Sequence, residues 1–260
     1  MNRIEKLFKE KNGNILSVYF TAGFPEVGDT ERIINQLQNS GVDLIEIGIP
    51  FSDPLADGPT IQYSNEVALK NGMTVKILFD QLKNIRKSIT VPLVLMSYFN
   101  PVLQYGIENF CRNAFESGID GVIIPDLPVQ NYLDEYKTIF EKNYLFNILL
   151  ITPQTSESRI RIIDDNSKGF IYMVSSSSIT GTKSEISDIQ REYFIKVKKM
   201  NLKNPILIGF GISDRNTFNE ACQFGNGAII GSSFIRAIQK NGDLNVNIRK
   251  FINDIKDVQQ

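Results

Sequence analysis

The sequence predicts an α/β fold, because short apolar runs alternate with longer polar segments of helical period along its 260 residues. Such alternation is typical of strand–helix units that build a parallel sheet. Eight units in a chain of this length favour a closed (β/α)₈ TIM barrel. A doubly wound open sheet is the alternative, but no G-x-G-x-x-G motif follows the first strand. The predicted strands are residues 15–21, 43–49, 92–98, 121–125, 145–151, 169–175, 205–210 and 227–231.

Glycines mark the ends of several intervening helices. The segment DTERIINQLQNSG ends on Gly41, and IENFCRNAFESG ends on Gly118, which are natural positions for a C-terminal cap. A third segment, SDRNTFNEACQFG, begins with Ser213 as a candidate N-cap and stops at Gly225. These caps bound the helices that cover the predicted barrel.

An extra helix precedes the first strand. The segment MNRIEKLFKEKNG predicts a charged amphipathic helix with Leu7 and Phe8 on one side. It lacks the continuous apolar region of a secretory signal. No linker or low-complexity run interrupts the chain, so we expect residues 1–260 to form a single TIM-barrel domain.

The composition excludes several classes of partner. With 28 basic and 29 acidic residues interspersed, there is no basic stripe for nucleic acid or for an anionic membrane surface. No segment approaches the length of a membrane span. Cys111 and Cys222 lie far apart without C-x-x-C spacing, which suits apolar packing in a reducing compartment. We therefore expect a cytoplasmic location.

The chain contains no histidine. This excludes Ser-His-Asp and Cys-His nucleophile systems and the His-rich type of catalytic zinc site. Acid–base chemistry must therefore use Asp, Glu, Lys or Tyr, and we expect no metal.

Glu46 lies inside the predicted second strand, where a charge is unexpected. Alternation places Leu44, Glu46 and Gly48 on one face and three isoleucines on the other. The isoleucine face suits the outer helices, so we expect Glu46 to point into the barrel near its upper end. Burial there raises a carboxyl pKa toward the range useful for proton transfer. The alternative is a structural glutamate paired with a buried base, although no other predicted strand supplies one.

The loop PFSDPLADGPT follows this strand and contains two aspartates. Three prolines restrict its backbone, which suits a positioned side chain. Asp53 precedes Pro54 and is interpreted as a turn residue. Asp57 precedes Gly58, so these residues alone leave open whether it is a turn residue or a catalytic group.

Glycine-bearing segments end the last three predicted strands: SITGTK, GFGISD and AIIGSS. In TIM barrels, phosphate sites form from the loops after strands seven and eight, where backbone N–H groups meet the anion. Ser232 or Ser233 could add a hydroxyl. Together the three segments predict a phosphate site at one end of the barrel.

Aromatic side chains also fall at strand ends. Tyr172 alternates with Phe170 and Val174, which places it inward, while Tyr19 and Phe210 end the first and seventh strands. They are consistent with a pocket for a flat apolar ligand, or simply with core packing. Lys183 lies in a polar loop and is interpreted as solvated rather than as a Schiff-base lysine.

With these residues in view, the sequence resembles the α subunit of tryptophan synthase. The resemblance runs nearly the whole length and rests mainly on EIGIPFSDPLADGPTIQ. It is supported in order by YFTAGFP, MSYFNP, IIPDLP, GFGIS and GAIIGSS. Two departures are Ser178, where the family often has glycine, and Tyr19, where phenylalanine is common.

The resemblance implies retro-aldol cleavage of indole-3-glycerol phosphate to indole and glyceraldehyde 3-phosphate. Glu46 then matches the general acid–base glutamate, and Asp57 matches the aspartate that faces the indole N–H. The implied substrate-binding residues are Tyr19, Tyr172, Phe210 and Thr180. The implied phosphate-binding residues are Gly181, Gly211, Gly231 and Ser232.

The same resemblance implies a partner. It is a β subunit in an α₂β₂ heterotetramer, with pyridoxal phosphate in that partner and no cofactor in this chain. The partner would be contacted or gated by the loop from Pro50 to Pro59, the segment YFNP and the loop from Ser176 to Gln190. The loop from Ser176 to Gln190 would act as a lid. Two alternatives remain, namely another phosphate-binding barrel enzyme, such as a sugar-phosphate isomerase or aldolase, and a non-catalytic ligand-sensing barrel.

Overall fold

The computed structural model describes residues 1–175, 187–209 and 211–256. Parallel strands run through this part of the chain and form one sheet. They are β1 (Ile15–Thr21), β2 (Leu44–Gly48), β3 (Leu93–Met96), β4 (Gly121–Ile123), β5 (Phe146–Ile148), β6 (Leu150–Ile151), β7 (Ile171–Val174), β8 (Ile206–Gly209) and β9 (Gly227–Ile230).

The strands are ordered β5-β4-β3-β2-β1-β9-β8-β7-β6, so the two edges of the sheet are consecutive in the chain. The predicted strand 145–151 is therefore interrupted at Leu149. Its first part pairs with β4 and its second part with β7. The Leu149 carbonyl accepts a 3.0 Å hydrogen bond from the Tyr172 N–H. This interrupted strand nearly closes the sheet and confirms the predicted parallel barrel.

Helices interleave with the strands along the chain. They are α1 (Arg3–Glu10), α2 (Asp29–Asn39), α3 (Pro59–Lys70), α4 (Val75–Leu82), α5 (Phe99–Tyr105), α6 (Ile107–Glu116), α7 (Val129–Asn131), α8 (Lys137–Lys142), α9 (Glu157–Asn166), α10 (Asp188–Lys199), α11 (Arg215–Cys222), α12 (Ser232–Ile238) and α13 (Leu244–Lys256). A π-helical segment, Tyr132–Tyr136, joins α7 to α8, and a 3₁₀ turn, Ile85–Lys87, follows α4.

The helix ends follow local capping chemistry with one correction. Gly41 and Gly118 follow α2 and α6 at φ values of 81° and 75°, which glycine adopts readily, as predicted. The predicted N-cap Ser213 is wrong. Asp214 caps α11 instead, because its side chain accepts the Thr217 N–H in a capping box. That helix ends at Cys222, three residues before Gly225.

Successive side chains along each strand point alternately to the inside of the barrel and to the outer helices, which gives two hydrophobic cores. Leu44, Val94 and Tyr172 belong to the core inside the barrel, whereas Ile45 and Ile47 pack with the residues under the outer helices. This confirms the predicted facing of β2. Glu46, between the two isoleucines, is therefore on the inner face and fully buried.

The extra helix α1 closes the amino end of the barrel. Ile4 is fully buried in the inner core, and the rings of Phe8 and Phe170 lie 5.9 Å apart. Leu7 and Phe8 both pack against that core, as the amphipathic pattern predicts. An Asn2–Glu5 capping box begins the helix. The inner core is thus sealed at the end opposite the loops that follow the strands.

Within the described ranges, no helix is both long and apolar enough to cross a membrane. The same residues contain no cluster of three or more side chains suited to hold a metal ion.

Candidate active site

Glu46 sits in the middle of β2, in register with Tyr19 of β1 and Val94 of β3. The Ser17 hydroxyl donates a 2.8 Å hydrogen bond to its Oε1. Oε2 is buried and has no hydrogen-bond partner among the described residues. Burial raises the pKa of this carboxyl to about 8, opposed only by the Ser17 bond. No described lysine or arginine forms a salt bridge with Glu46, so an ion pair does not account for it.

Asp57 lies in the loop between β2 and α3, and only 8% of it is exposed. Its backbone is held as a turn, because its N–H donates to the Pro54 carbonyl and its carbonyl accepts from Gln62. Its carboxyl interacts with the Tyr98 hydroxyl, and both residues line the same cavity. Burial raises the pKa of Asp57 to about 6, and the hydrogen bond from Tyr98 opposes that rise. Asp57 is therefore a turn residue and also a buried carboxyl group.

Asp53, in the same loop, has a different environment. It is exposed, its carbonyl accepts the Leu55 N–H, and its carboxylate accepts a bond from the Ser52 hydroxyl. These contacts fit the interpretation of Asp53 as a turn residue.

Tyr19 and Tyr172 both face inward and are almost completely buried. Burial raises the pKa of each hydroxyl, and the charges of Glu46 and Asp57 raise both pKa values further. Each tyrosine is therefore within electrostatic reach of both carboxyl groups. This shared environment brings the two acidic residues into one site.

Each of these rings lies over a glycine of the neighbouring strand. A Cβ on Gly48 would come within 2.6 Å of the Tyr19 ring carbon Cζ, and one on Gly209 within 2.5 Å of Tyr172 Cζ. Both distances are too short for any side chain other than hydrogen. Gly48 and Gly209 thus make the space that the two aromatic rings occupy.

A cavity of about 780 Å³ opens at the carboxyl ends of the strands. Asp57, Tyr19 and Tyr98 line it, and the rest of its wall is largely apolar. This size and lining suit a small ligand with a flat apolar part. Glu46 does not line the cavity, because it is fully buried beside Tyr19. Further apolar lining residues are Ile49, Met96, Ile124, Leu149 and Val174.

Of the predicted phosphate-binding residues, Gly181 lies outside the described residues. Other residues singled out in the sequence also lie outside them, namely Thr180, Phe210, Ser178 and Lys183. Gly211 follows β8 at φ 77°, a conformation that favours glycine. Gly231 precedes α12, and Ser232 is its first residue. Since β8 and β9 are neighbours in the sheet, these positions follow adjacent strands. Ser233 Oγ is buried without a hydrogen-bond partner among the described residues.

Sequence reasoning missed four residues of this site. Ser17 and Tyr98 bind the two carboxyl groups, and Gly48 and Gly209 make room for the tyrosine rings. Gly48 and Gly209 each end a strand that neighbours a strand with an inward tyrosine, and this pattern could have revealed them from the sequence. The partners of the carboxyl groups depend on contacts between strands, which the local sequence does not encode.

A family model described as "Tryptophan synthase alpha chain" matches residues 6–259. The chain belongs to the tryptophan synthase alpha chain family. A tryptophan synthase alpha chain from Flavobacterium psychrophilum is 58% identical over 255 residues, which cover 98% of this chain and 100% of that relative. Another, from Flavobacterium johnsoniae, is 58% identical over 257 residues with the same coverage.

Solved structures agree with this membership. The tryptophan synthase subunit alpha of Legionella pneumophila str. Paris matches with a TM-score of 0.88 and 32% identity, covering 99% of this chain and 98% of that one. The aminoacrylate-bound tryptophan synthase of M. tuberculosis matches with a TM-score of 0.85 and 28% identity, covering 98% of each chain. The tryptophan synthase alpha barrel is therefore the fold of this chain.

Proposed function

We propose that this chain catalyses the retro-aldol cleavage of indole-3-glycerol phosphate to indole and glyceraldehyde 3-phosphate, with Glu46 and Asp57 as its catalytic residues. This is the alpha reaction of tryptophan biosynthesis. The observation that carries the proposal is the pair of buried carboxyl groups that share Tyr19 and Tyr172 as neighbours, with pKa values raised to about 8 and about 6. At neutral pH these values favour a protonated Glu46 and an ionised Asp57, which are the two states that the chemistry needs.

The reaction needs the indole ring to accept the electrons of the breaking carbon–carbon bond. Protonation of ring carbon 3 makes the ring such an acceptor, with positive charge spread to the nitrogen. Glu46 donates that proton, and the Asp57 carboxylate faces the indole N–H and stabilises the charge. The bond from carbon 3 to the side chain then breaks, and the adjacent hydroxyl becomes an aldehyde as it loses its proton. Glu46, ionised by its own transfer, accepts that proton and returns to its starting state.

The contacts of Glu46 support this role in transfer. Its one described hydrogen bond is to Ser17, and its Oε2 is unbonded. A rotation of the carboxyl toward the cavity therefore breaks a single hydrogen bond. Because Glu46 is fully buried, this rotation precedes contact with the substrate.

Substrate binding is assigned to the residues that the family resemblance implies. The indole ring lies among Tyr19, Tyr172, Phe210 and Thr180. The phosphate lies against Gly181, Gly211, Gly231 and Ser232. Support for the phosphate assignment is the left-handed backbone of Gly211 and the start of α12 at Ser232, on adjacent loops. Binding the remote phosphate positions the reacting end of the substrate.

We also propose that the chain works with a β subunit in an α₂β₂ heterotetramer, in the cytoplasm. Pyridoxal phosphate belongs to that partner, and this chain uses no cofactor of its own. The proposed contact surface comprises the loop 50–59, the segment YFNP and the loop 176–190. The related M. tuberculosis structure is of a tryptophan synthase in its aminoacrylate-bound form, which supports the pairing.

The test is a product assay with purified protein and indole-3-glycerol phosphate, alone and with a β subunit added. We expect indole and glyceraldehyde 3-phosphate to appear in equal amounts, and the partner to accelerate their release. Sugar-phosphate isomerase and aldolase assays serve as controls and should give no turnover. If the protein binds the substrate but releases no indole even with a cognate partner, it is a ligand-sensing barrel and the proposal fails.

A further inference from the structure

Tyr98 contacts both ends of the loop that contains Asp57. It is the N-cap residue of α5, directly after β3, and its side chain extends to the loop after β2. The Tyr98 hydroxyl accepts a 2.9 Å hydrogen bond from the Ala56 N–H. Its ring lies 5.1 Å from the ring of Phe51. Tyr98 therefore ties the start and the end of this loop to the neighbouring strand.

The other described hydrogen bonds of this loop do not link it to a neighbouring strand. Among the described residues, Leu55 bonds the Asp53 carbonyl and Asp57 bonds the Pro54 carbonyl, both within the loop. Gln62 bonds the Asp57 carbonyl from α3, which continues directly from the loop. Among these described hydrogen bonds, the one from Ala56 to Tyr98 links the loop to a neighbouring strand.

The Tyr98 hydroxyl can donate its hydrogen to a second partner, because its bond with Ala56 uses only its oxygen as an acceptor. A phenol has one hydrogen to donate and lone pairs to accept. Since the Ala56 N–H occupies a lone pair, the hydrogen is free to point to the Asp57 carboxylate. In this orientation the bond to Asp57 favours the ionised carboxyl.

The backbone at Tyr98 is fixed from its other side. The next N–H, of Phe99, donates a 2.8 Å hydrogen bond to Asp126 Oδ1 in the loop after β4. Tyr98 and Phe99 therefore connect three successive loops at the carboxyl end of the barrel. A side chain on so constrained a backbone holds its partner with little freedom.

We propose that Tyr98 is a positioning residue of the lyase, which fixes the Asp57 carboxylate through its hydroxyl and fixes the loop through its ring. The consequence for turnover rests on the proposed function, whereas the effect on Asp57 does not. The ionisable groups that face Asp57 are Tyr98, Tyr19 and Tyr172, and Asp126 faces Tyr98 from the next loop.

The test removes only the hydroxyl, with Tyr98→Phe, and keeps the ring contact with Phe51. Tyr105→Phe is the matched control, because it removes a hydroxyl of the same helix that accepts from Asn113 and does not line the cavity. Thermal melting establishes that both variants fold. The titration of the Asp57 carboxyl is followed by ¹³C NMR and assigned with Asp57→Asn, in wild type and in both variants.

In Tyr98→Phe we expect the Asp57 titration to move to higher pH, because the ionised form loses a donor. We also expect kcat with indole-3-glycerol phosphate to fall about tenfold while KM changes less than about twofold, since an interaction with the transition state is lost. The acid limb of the pH profile should move in parallel with the NMR midpoint. Tyr105→Phe should match wild type in all three measurements.

An Asp57 midpoint in Tyr98→Phe equal to that of wild type would overturn the inference, whatever the activity. A loss expressed only in KM, with an unchanged acid limb, would also overturn it. If wild type itself fails to cleave the substrate, the proposed function falls, and the NMR titration still decides whether Tyr98 controls Asp57.

Discussion

The Ser17 hydroxyl bonds one oxygen of the Glu46 carboxyl at 2.8 Å, and the other oxygen has no partner among the described residues. One neutral donor does little to offset the loss of water around a fully buried carboxylate. The carboxyl therefore holds its proton until the pH reaches about 8. This hydrogen-bonding pattern makes Glu46 an acid available for transfer at neutral pH.

The pH dependence of kcat/KM should be bell-shaped. Activity should rise as Asp57 ionises with a pKa of about 6, and fall as Glu46 loses its proton with a pKa of about 8. Steady-state indole release between pH 5 and 9 measures both limbs. Asp57→Asn should lower the rate and lose the acid limb while keeping the alkaline one. A rate that is constant across this range would contradict the assignment.

Glu46→Gln should stabilise the fold at neutral pH. An unfolded chain ionises this glutamate near its usual 4.5, whereas the folded chain does so near 8. Between these values the folded state binds the extra proton, so the free energy of unfolding falls as pH rises. Glutamine removes this penalty, which amounts to about 3 kcal/mol at pH 7.

Urea unfolding at several pH values measures the effect of Glu46→Gln. The stability gain should be large at pH 7–8 and vanish near pH 4, where wild type is protonated in both states. The control is Glu66→Gln, whose exposed pair with Lys70 should contribute little at any pH. A variant that is no more stable than wild type at pH 8 would show that Glu46 ionises normally in the fold.

Alanine at Gly48 or Gly209 should displace the ring of Tyr19 or Tyr172. The new methyl group would overlap the ring, which costs about 1–3 kcal/mol of stability. Because both tyrosines adjoin the site, kcat/KM should fall by about 100-fold. Gly28→Ala is the matched control, since a Cβ there meets no atom within 4 Å. Equal activity in all three variants would argue against a role for the ring positions.

Asp120→Ala should destabilise the barrel without changing its chemistry. Asp120 lies at the amino end of β4 and binds Arg3 at 3.0 Å, Arg86 at 2.5 Å and the Leu93 N–H at 2.9 Å. Its loss leaves the Arg86 guanidinium, which is largely buried, without its carboxylate, at a cost of about 3–5 kcal/mol. Chemical unfolding and kcat/KM per folded molecule measure the two effects.

The matched control for Asp120→Ala is Glu10→Ala, which breaks the exposed pair with Lys6. This variant should keep both its stability and its activity. A fall in kcat/KM for Asp120→Ala, measured on fully folded protein, would mean that the amino end of the barrel influences the site.

Strand positions and the facing of Glu46 were predictable from the sequence, because alternation and apolar runs are local patterns. The break at Leu149 was not, since it reflects which neighbour each half of the strand bonds. Likewise, Ser213 and Asp214 are both good N-caps, and the spacing to Thr217 selects the second.

The environment of Asp57 shows a second limit of sequence reasoning. An Asp-Gly pair in a proline-rich loop is typical of a turn, and Asp57 is indeed in one. Its side chain is nevertheless buried, and the groups that interact with its carboxyl are Tyr98, on the loop of the neighbouring strand, and the inward tyrosines. The steric dependence of Tyr172 on Gly209 arises in the same way, from strand register. Such relationships become visible only when the strands are paired.

Substrate binding and turnover by Glu46→Gln decide whether Glu46 is the proton donor. The chain contains no tryptophan, so fluorescence excited beyond the tyrosine absorption band comes from the indole ligand. We expect the variant to bind indole-3-glycerol phosphate within about threefold of wild type and to release no indole, with or without a β subunit, because the proton donor is gone. Indole release by the variant at a rate near that of wild type would show that Glu46 does not transfer the proton.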